Sequence, residues 1–339
     1  MSTILVTGGL GFIGSNFVKL LLQKRDTSYS IVNLDAMSFG ANPKNLADIG
    51  DLSNYRFVKG WTTDDSVVQP LMSDVDVVVN FAAETHVDRS VANPKAFFQS
   101  NTVGTMTLLE HARKHDARFI QISTDEVYGS APSDYSFTEK DKLTPSSPYS
   151  TSKAAADLFV ATYHQTYGLH TTILRCTNNF GPNQFPEKFI PKAIASIMTG
   201  RKIPIYGNGL QVRDWIYVQD FCRAIELAMT AGPAGAIYNV SAGNEVSNLE
   251  IVTQILKRLK MPETMLQFVE DRPGHDIRYS LDSTKIRSEL GWKVTTSLTD
   301  RLNETVDWYI KNESWWRPLI SDRVLSPSPW KENWATTVS

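Results

Sequence analysis

Asp125 and Glu126 stand side by side in "STDEVYG" (123–129), directly after the apolar run 118–122. Adjacent carboxylates just off a buried strand repel one another and lose hydration, which drives their protonation states apart. Acidic residues are also common where strands simply run into solvent, so the pair gains meaning only from its partners. A second pair, Tyr149 and Lys153 in "SPYSTSK", is spaced four apart near a helix start, so both side chains leave one face. A phenol of ordinary pKa about 10 is a poor base at neutral pH, and a nearby ammonium favours its anion. A Tyr and a Lys four apart are frequent on surface helices; here they follow "STDEVYG" by about 25 residues.

The elements that would hold these groups alternate in type. Runs of strand length at Ile4–Thr7, Ile31–Leu34, Arg56–Val58, Val75–Phe81, Phe119–Ser123 and Thr171–Leu174 are separated by helical patterns such as Gly14–Lys24, Thr102–His115 and Ser150–Tyr167. Such alternation predicts an α/β fold, a doubly wound parallel sheet with helices on both faces. After about Cys176 the pattern breaks at Pro182, Pro186, Pro191, Pro204, Gly207 and Gly209. The expected division is 1–176 for the sheet domain, with 212–241 returning to it, and 177–211 with 242–339 for a smaller α/β lobe.

"TGGLGFIGS" joins the first strand to a helix. Gly9, Gly11 and Gly14 match the dinucleotide fingerprint, and Gly8, Gly11 and Gly14 its shorter-turn variant. Glycine is required there for a tight turn, close approach of backbone to pyrophosphate, and helix–strand packing. Asp35, at the end of the second strand and 21 residues past Gly14, can accept from an adenosine ribose and would repel a 2′-phosphate. The cofactor expected is NAD rather than NADP. With a dinucleotide beside it, Tyr149 could take the proton of a sugar hydroxyl while hydride leaves the same carbon.

These residues carry a family resemblance. The chain resembles the extended short-chain dehydrogenase/reductase family and is similar within it to the dTDP-glucose 4,6-dehydratases. The likeness runs over nearly the full length through "TGGLGFIGSN", "FAAETHVDRS", "STDEVYG", "PSSPYSTSKAAAD", "RCTNNFGPNQFPEKFIPK", "GNGLQVRDWIYVQD", "YNVSAG", "DRPGHDIRYSLD" and "WWRPL". It implies a catalytic set of Thr124, Asp125, Glu126, Tyr149 and Lys153. Oxidation at sugar C4 acidifies the C5 proton; Glu126 would remove it, Asp125 would protonate the leaving C6 hydroxyl, and hydride would return to C6. The resemblance adds Phe12, Ile13, Ser38 and Ala82 to the cofactor contacts. It gives Thr85, Asn178, Lys188, Phe189, Pro204, Tyr206, Arg213, Asn239, Arg272 and His275 to the nucleotide sugar. Arg213 and Arg272 would grip the diphosphate, where guanidinium forks suit paired oxygens. It also implies a homodimer and a place in deoxysugar biosynthesis such as that of rhamnose.

Three departures from the family pattern stand out. Gly60 is followed by Trp61, Thr62 and Thr63 where relatives usually have an aspartate reaching toward adenine, with Asp64 near enough to substitute. Thr85 replaces a common serine. Asn183 stands where dTDP enzymes often have tyrosine and plant-type UDP-glucose enzymes have asparagine. A UDP-glucose 4,6-dehydratase, a 4-epimerase and a dinucleotide-sensing regulator therefore stay open as alternatives, although 4-epimerases usually lack the Asp-Glu pair and regulators typically lose the Tyr–Lys pair.

Composition bounds the rest. At 339 residues, two joined lobes are expected. Net charge is −2 with dispersed Lys and Arg, which offers no footprint for nucleic acid. Two cysteines give no disulfide framework, no apolar run reaches membrane-helix length, and no histidine cluster has metal-ligand spacing. The chain opens directly on a strand, and a cytoplasmic protein is expected.

Overall fold

A computed structural model describes residues 2–23, 29–49 and 52–332. Lys24 of the first expected helix and residues 333–339 of the expected smaller lobe lie outside the described residues. The central sheet contains β1 (Ser2–Thr7), β2 (Tyr29–Asp35), β3 (Tyr55–Lys59), β4 (Val77–Asn80), β5 (Arg118–Thr124), β6 (Thr171–Cys176) and, from later in the chain, β10 (Ala236–Val240). All pairings are parallel, in the order β10-β6-β5-β4-β1-β2-β3. The order reverses between β1 and β4, and a crevice opens there at the carboxyl ends of the strands. β4 and β6 are buried at every residue, as expected of strands covered on both faces.

The helices are α1 (Phe12–Gln23), α2 (Asp65–Val68), α3 (Val87–Ala92), α4 (Pro94–Phe97), α5 (Gly104–His115), α6 (Pro148–Tyr167), α7 (Phe189–Met198), α8 (Val218–Ala231), α9 (Asn248–Leu259), α10 (Thr284–Leu290), α11 (Leu298–Lys311) and α12 (Glu313–Trp316). A π-helical turn, Phe98–Val103, joins α4 to α5. In that turn Asn101 accepts from the Glu84 amide (2.8 Å) and donates to Ser152 Oγ (2.9 Å), fastening the loop after β4 to α6. Among the described residues no helix is long and apolar enough to cross a membrane.

A second layer of short strands sits over the crevice. β7 (Asn178–Phe180) and β11 (Glu245–Ser247) flank β9 (Val212–Tyr217), while β8 (Ile203–Tyr206) pairs with β12 (Leu266–Val269). Their apolar sides close on α7, α9 and α11 in a core that includes Ile194, Ile255, Tyr309 and Trp316. The central sheet has two cores of its own, and Ile286 and Trp292 bury against the one that holds α1 and α8. Both cysteines are buried and free.

Candidate active site

The turn after β1 explains its glycines. Gly8 has φ of 70°, and a Cβ there would come 2.8 Å from the Ala82 amide nitrogen. A Cβ on Gly14 would lie 2.4 Å from the Gly8 carbonyl oxygen. The N-terminus of α1 thus meets β1 and β4 at a distance only glycine allows, and its free amides face the crevice. Asp35 closes the far side. Its carboxylate accepts from the Leu10 amide (2.9 Å) and the Met37 amide (2.7 Å), and burial raises its pKa above the ordinary value. Gly8, Gly11, Phe12, Ile13, Gly14, Asp35, Ser38 and Ala82 line one cleft, and this glycine-cradled, acid-ended groove fits a dinucleotide. Sequence reading missed Asn33, a buried strand residue that accepts from the Gly9 amide (3.1 Å) and so fixes the turn. Asp64 does not line this cleft. It caps α2, accepting from Ser66 N (3.0 Å) and Ser66 Oγ (2.7 Å), and Trp61 and Thr62 take the place beside β3.

At the other end of the cleft β5 delivers the carboxylates. Thr124 Oγ1 donates to Asp125 (3.0 Å) and accepts from the Glu126 amide (3.3 Å), so one hydroxyl locks both into a short helical turn. Asp125 is buried, and its second oxygen has no hydrogen-bond partner among the described residues. Burial, and then the Glu126 charge, push its pKa well above the carboxylate range. Glu126 is half-buried and also raised by burial, but Arg272, Arg213 and Lys188 oppose the rise. The neighbours are thus held unequally: burial and a like charge favour the protonated form of Asp125, while Glu126 faces three cations that stabilise its anion.

Tyr149 and Lys153 enter from the first turns of α6. Ser147 caps that helix, its hydroxyl accepting from the Ser150 amide (3.1 Å) while Ser150 Oγ accepts from the Ser147 amide (2.9 Å). Both side chains reach the cleft. Lys153 Nζ donates to the Ile122 carbonyl (2.6 Å), and burial lowers its pKa. The Tyr149 phenol is pushed well above its ordinary value, by burial first and the Glu126 charge next, against a hydrogen bond with Thr124. In the protein's own field Tyr149 is therefore a phenol, and making it a base requires further positive charge.

A second cavity continues from the first, and the two share Thr85, Glu126, Asn178 and Lys188. Phe189, Pro204, Tyr206, Arg213, Arg272 and His275 line it as the resemblance implied. Arg213 lies over the Tyr279 ring (4.2 Å) and donates to the Asp276 carbonyl (2.8 Å). Arg272 donates to Asp88 (2.9 Å), and its buried Nε has no hydrogen-bond partner among the described residues. His275 is hydrogen-bonded to Asp271 (2.6 Å), and burial and the two arginines lower its pKa to about 4. Sequence reading missed Asp88, which also accepts from Tyr206 (3.1 Å), and Asn248 and Trp215, which line this cavity.

One residue that the resemblance gave to the nucleotide sugar falls elsewhere, and one departure from the family pattern lies off the site. Asn239 is fully buried and lines neither cavity. It accepts from Tyr128 (2.9 Å) and donates to the Phe137 carbonyl (2.8 Å), so its polar atoms are consumed in the fold. Asn183 also lies outside both cavities. It occupies the left-handed region at φ 69° and donates to Asn45 (3.2 Å), which gives this position a backbone reason for asparagine.

A family model described as GDP-mannose 4,6 dehydratase matches residues 5–305. The chain belongs to that dehydratase family. Among dehydratase relatives, the dTDP-glucose 4,6-dehydratase of Streptomyces niveus is 46% identical over 96% of this chain and 98% of its own length. A low-salt glycan biosynthesis protein of Haloferax volcanii is 49% identical over 91% of this chain and 99% of its own. Among solved structures, the dTDP-glucose 4,6-dehydratase DesIV of Streptomyces venezuelae, crystallised with NAD, has 43% identity and a TM-score of 0.92, covering 94% of this chain and all of its own.

Proposed function

We propose that the chain is an NAD-dependent dTDP-glucose 4,6-dehydratase, a hydro-lyase that converts dTDP-glucose to dTDP-4-keto-6-deoxyglucose and water. The observation that carries this reading is the junction of the two cavities, where the unequal carboxylates meet Tyr149 and the arginine-lined pocket. Tyr149 takes the C4 hydroxyl proton, Glu126 the C5 proton, and Asp125 gives its proton to the departing C6 hydroxyl. NAD, when bound, supplies the hydride acceptor and donor, and its oxidised ring adds the positive charge that Tyr149 lacks. Gly8, Gly11–Gly14, Asp35, Ser38 and Ala82 hold it. Arg213 and Arg272 hold the diphosphate, and Lys188, which donates to the Thr85 carbonyl (2.7 Å), keeps the wall between the cavities in place beside Glu126. The working division keeps 1–176 for the cofactor and 177–211 with 242–332 for the nucleotide sugar. Of the expected return at 212–241 only 218–241 stays with the central sheet, since β9 pairs with β7 and β11 and carries Arg213, and Ile286 and Trp292 join the central-sheet core.

The base preference follows from the relatives' named substrate and from the position of Asn183, which reaches neither cavity. Incubating the protein with dTDP-, UDP-, CDP- and GDP-glucose, and measuring the alkaline absorbance of the 4-keto product, tests it. Turnover of dTDP-glucose is expected to exceed the others, and product from UDP-glucose alone would move the assignment to that substrate. We further infer a cytoplasmic homodimer acting in deoxysugar synthesis of the rhamnose kind.

A further inference from the structure

We propose that Trp61 is the platform on which this protein stacks the cofactor's adenine, which is held by apolar contact rather than by a carboxylate. The inference rests on the dinucleotide reading of the cleft. Trp61 follows β3, the edge strand next to β2, and the Gly60 amide donates to the Asp35 carbonyl (3.1 Å), so Trp61 stands beside the proposed ribose end. Trp61 lines the cleft and as a residue remains 46% exposed, a large hydrophobic side chain not covered by the fold. The backbone under it is pinned. A Cβ on Gly60 would lie 2.6 Å from Val67, Thr62 is buried against Gly104, and the Asp64 amide donates to the Trp61 carbonyl (3.1 Å). An exposed ring on a fixed turn loses little freedom when a flat base covers it.

The acids nearby are committed elsewhere. Asp64 caps α2, Asp35 accepts from two amides, and the remaining carboxylates lining the cleft, Asp125 and Glu126, stand past β1 and β4 at the end of β5. Among the described residues no lining carboxylate is therefore placed to read the 6-amino group, whereas every purine offers a face for stacking.

Direct binding tests this with wild type, Trp61→Phe and Trp61→Ala, each freed of bound nucleotide and titrated calorimetrically. NAD should bind Trp61→Ala about tenfold more weakly than wild type, and Trp61→Phe within about threefold. Nicotinamide hypoxanthine dinucleotide, which has a keto group in place of the 6-amino group, should bind wild type within about threefold of NAD. Part of the tryptophan fluorescence quench caused by NAD should vanish in Trp61→Phe, while nicotinamide mononucleotide, lacking adenosine, should quench both proteins alike. Equal NAD affinity in wild type and Trp61→Ala overturns the stacking role, and a tenfold preference of wild type for NAD over the hypoxanthine analogue overturns the apolar mode. If wild type binds no NAD at all, the dinucleotide reading itself fails.

Discussion

Asp125 and Glu126 differ less in chemistry than in what surrounds them. Asp125 meets burial and a like charge, whereas Glu126 meets burial and three cations. Replacing Glu126 with Gln should leave C4 oxidation largely intact and slow product formation by about two to four powers of ten. Reduced-nicotinamide absorbance should then persist after substrate is added, and a near wild-type product rate would reject Glu126 as the C5 base. Asp125 makes a separate claim on stability. Its folded pKa lies above the unfolded value near 4, so between the two the unfolded chain loses its proton first, and stability falls as pH rises. Asp125→Asn removes that loss. Calorimetry should show variant and wild type melting alike below pH 4 and the variant melting higher at pH 7, by about 2 °C or more; a lower Tm for the variant at pH 7 contradicts a buried, protonated Asp125.

At the scale of elements, catalysis depends on where α6 begins. The Ser147–Ser150 box fixes its first turn, and Tyr149 is the second residue of the helix. Ser147→Ala should cost about 1 kcal/mol, lowering Tm by about 2 °C, and should reduce kcat more than it raises KM, with Ser147→Thr restoring both. A kcat unchanged by Ser147→Ala would mean that Tyr149 is positioned without the cap. The strands of the central sheet and the glycine turn were legible because each is written locally, as a buried apolar run or a position that excludes Cβ. The small sheets were not. β7 and β11 have three residues each, and what orders them is β9, which lies far off in sequence from β7. Asn239 shows the same limit for the site. Its position in "YNVSAG" suggested a ligand contact, but the side chain is spent on Tyr128, 111 residues away, while Asn248 in the next helix reaches the cavity. Asp88 was hidden likewise, because its partners, Tyr206 and Arg272, lie in the other lobe. The π turn that lets Asn101 tie the loop after β4 to α6 reads in sequence as plain helix.

For the whole molecule, Phe98 beside α4, and Leu158 and Tyr167 on α6, are more than half exposed, apolar surface that a second copy could cover. Light scattering at micromolar concentration should give twice the chain mass. Leu158→Glu should halve it with little change in folding cooperativity, since the side chain contributes little to the monomer core; a monomeric wild type would remove the homodimer. The shared wall of the two cavities has a consequence of another kind. Thr85, Glu126, Asn178 and Lys188 belong to both, so the two proposed binding events are not independent. Whatever factor the nucleotide sugar imposes on the dinucleotide's affinity, the dinucleotide imposes on the sugar's. The pair forms one linked equilibrium, and a substitution in that wall reports on the coupling before it reports on either ligand alone.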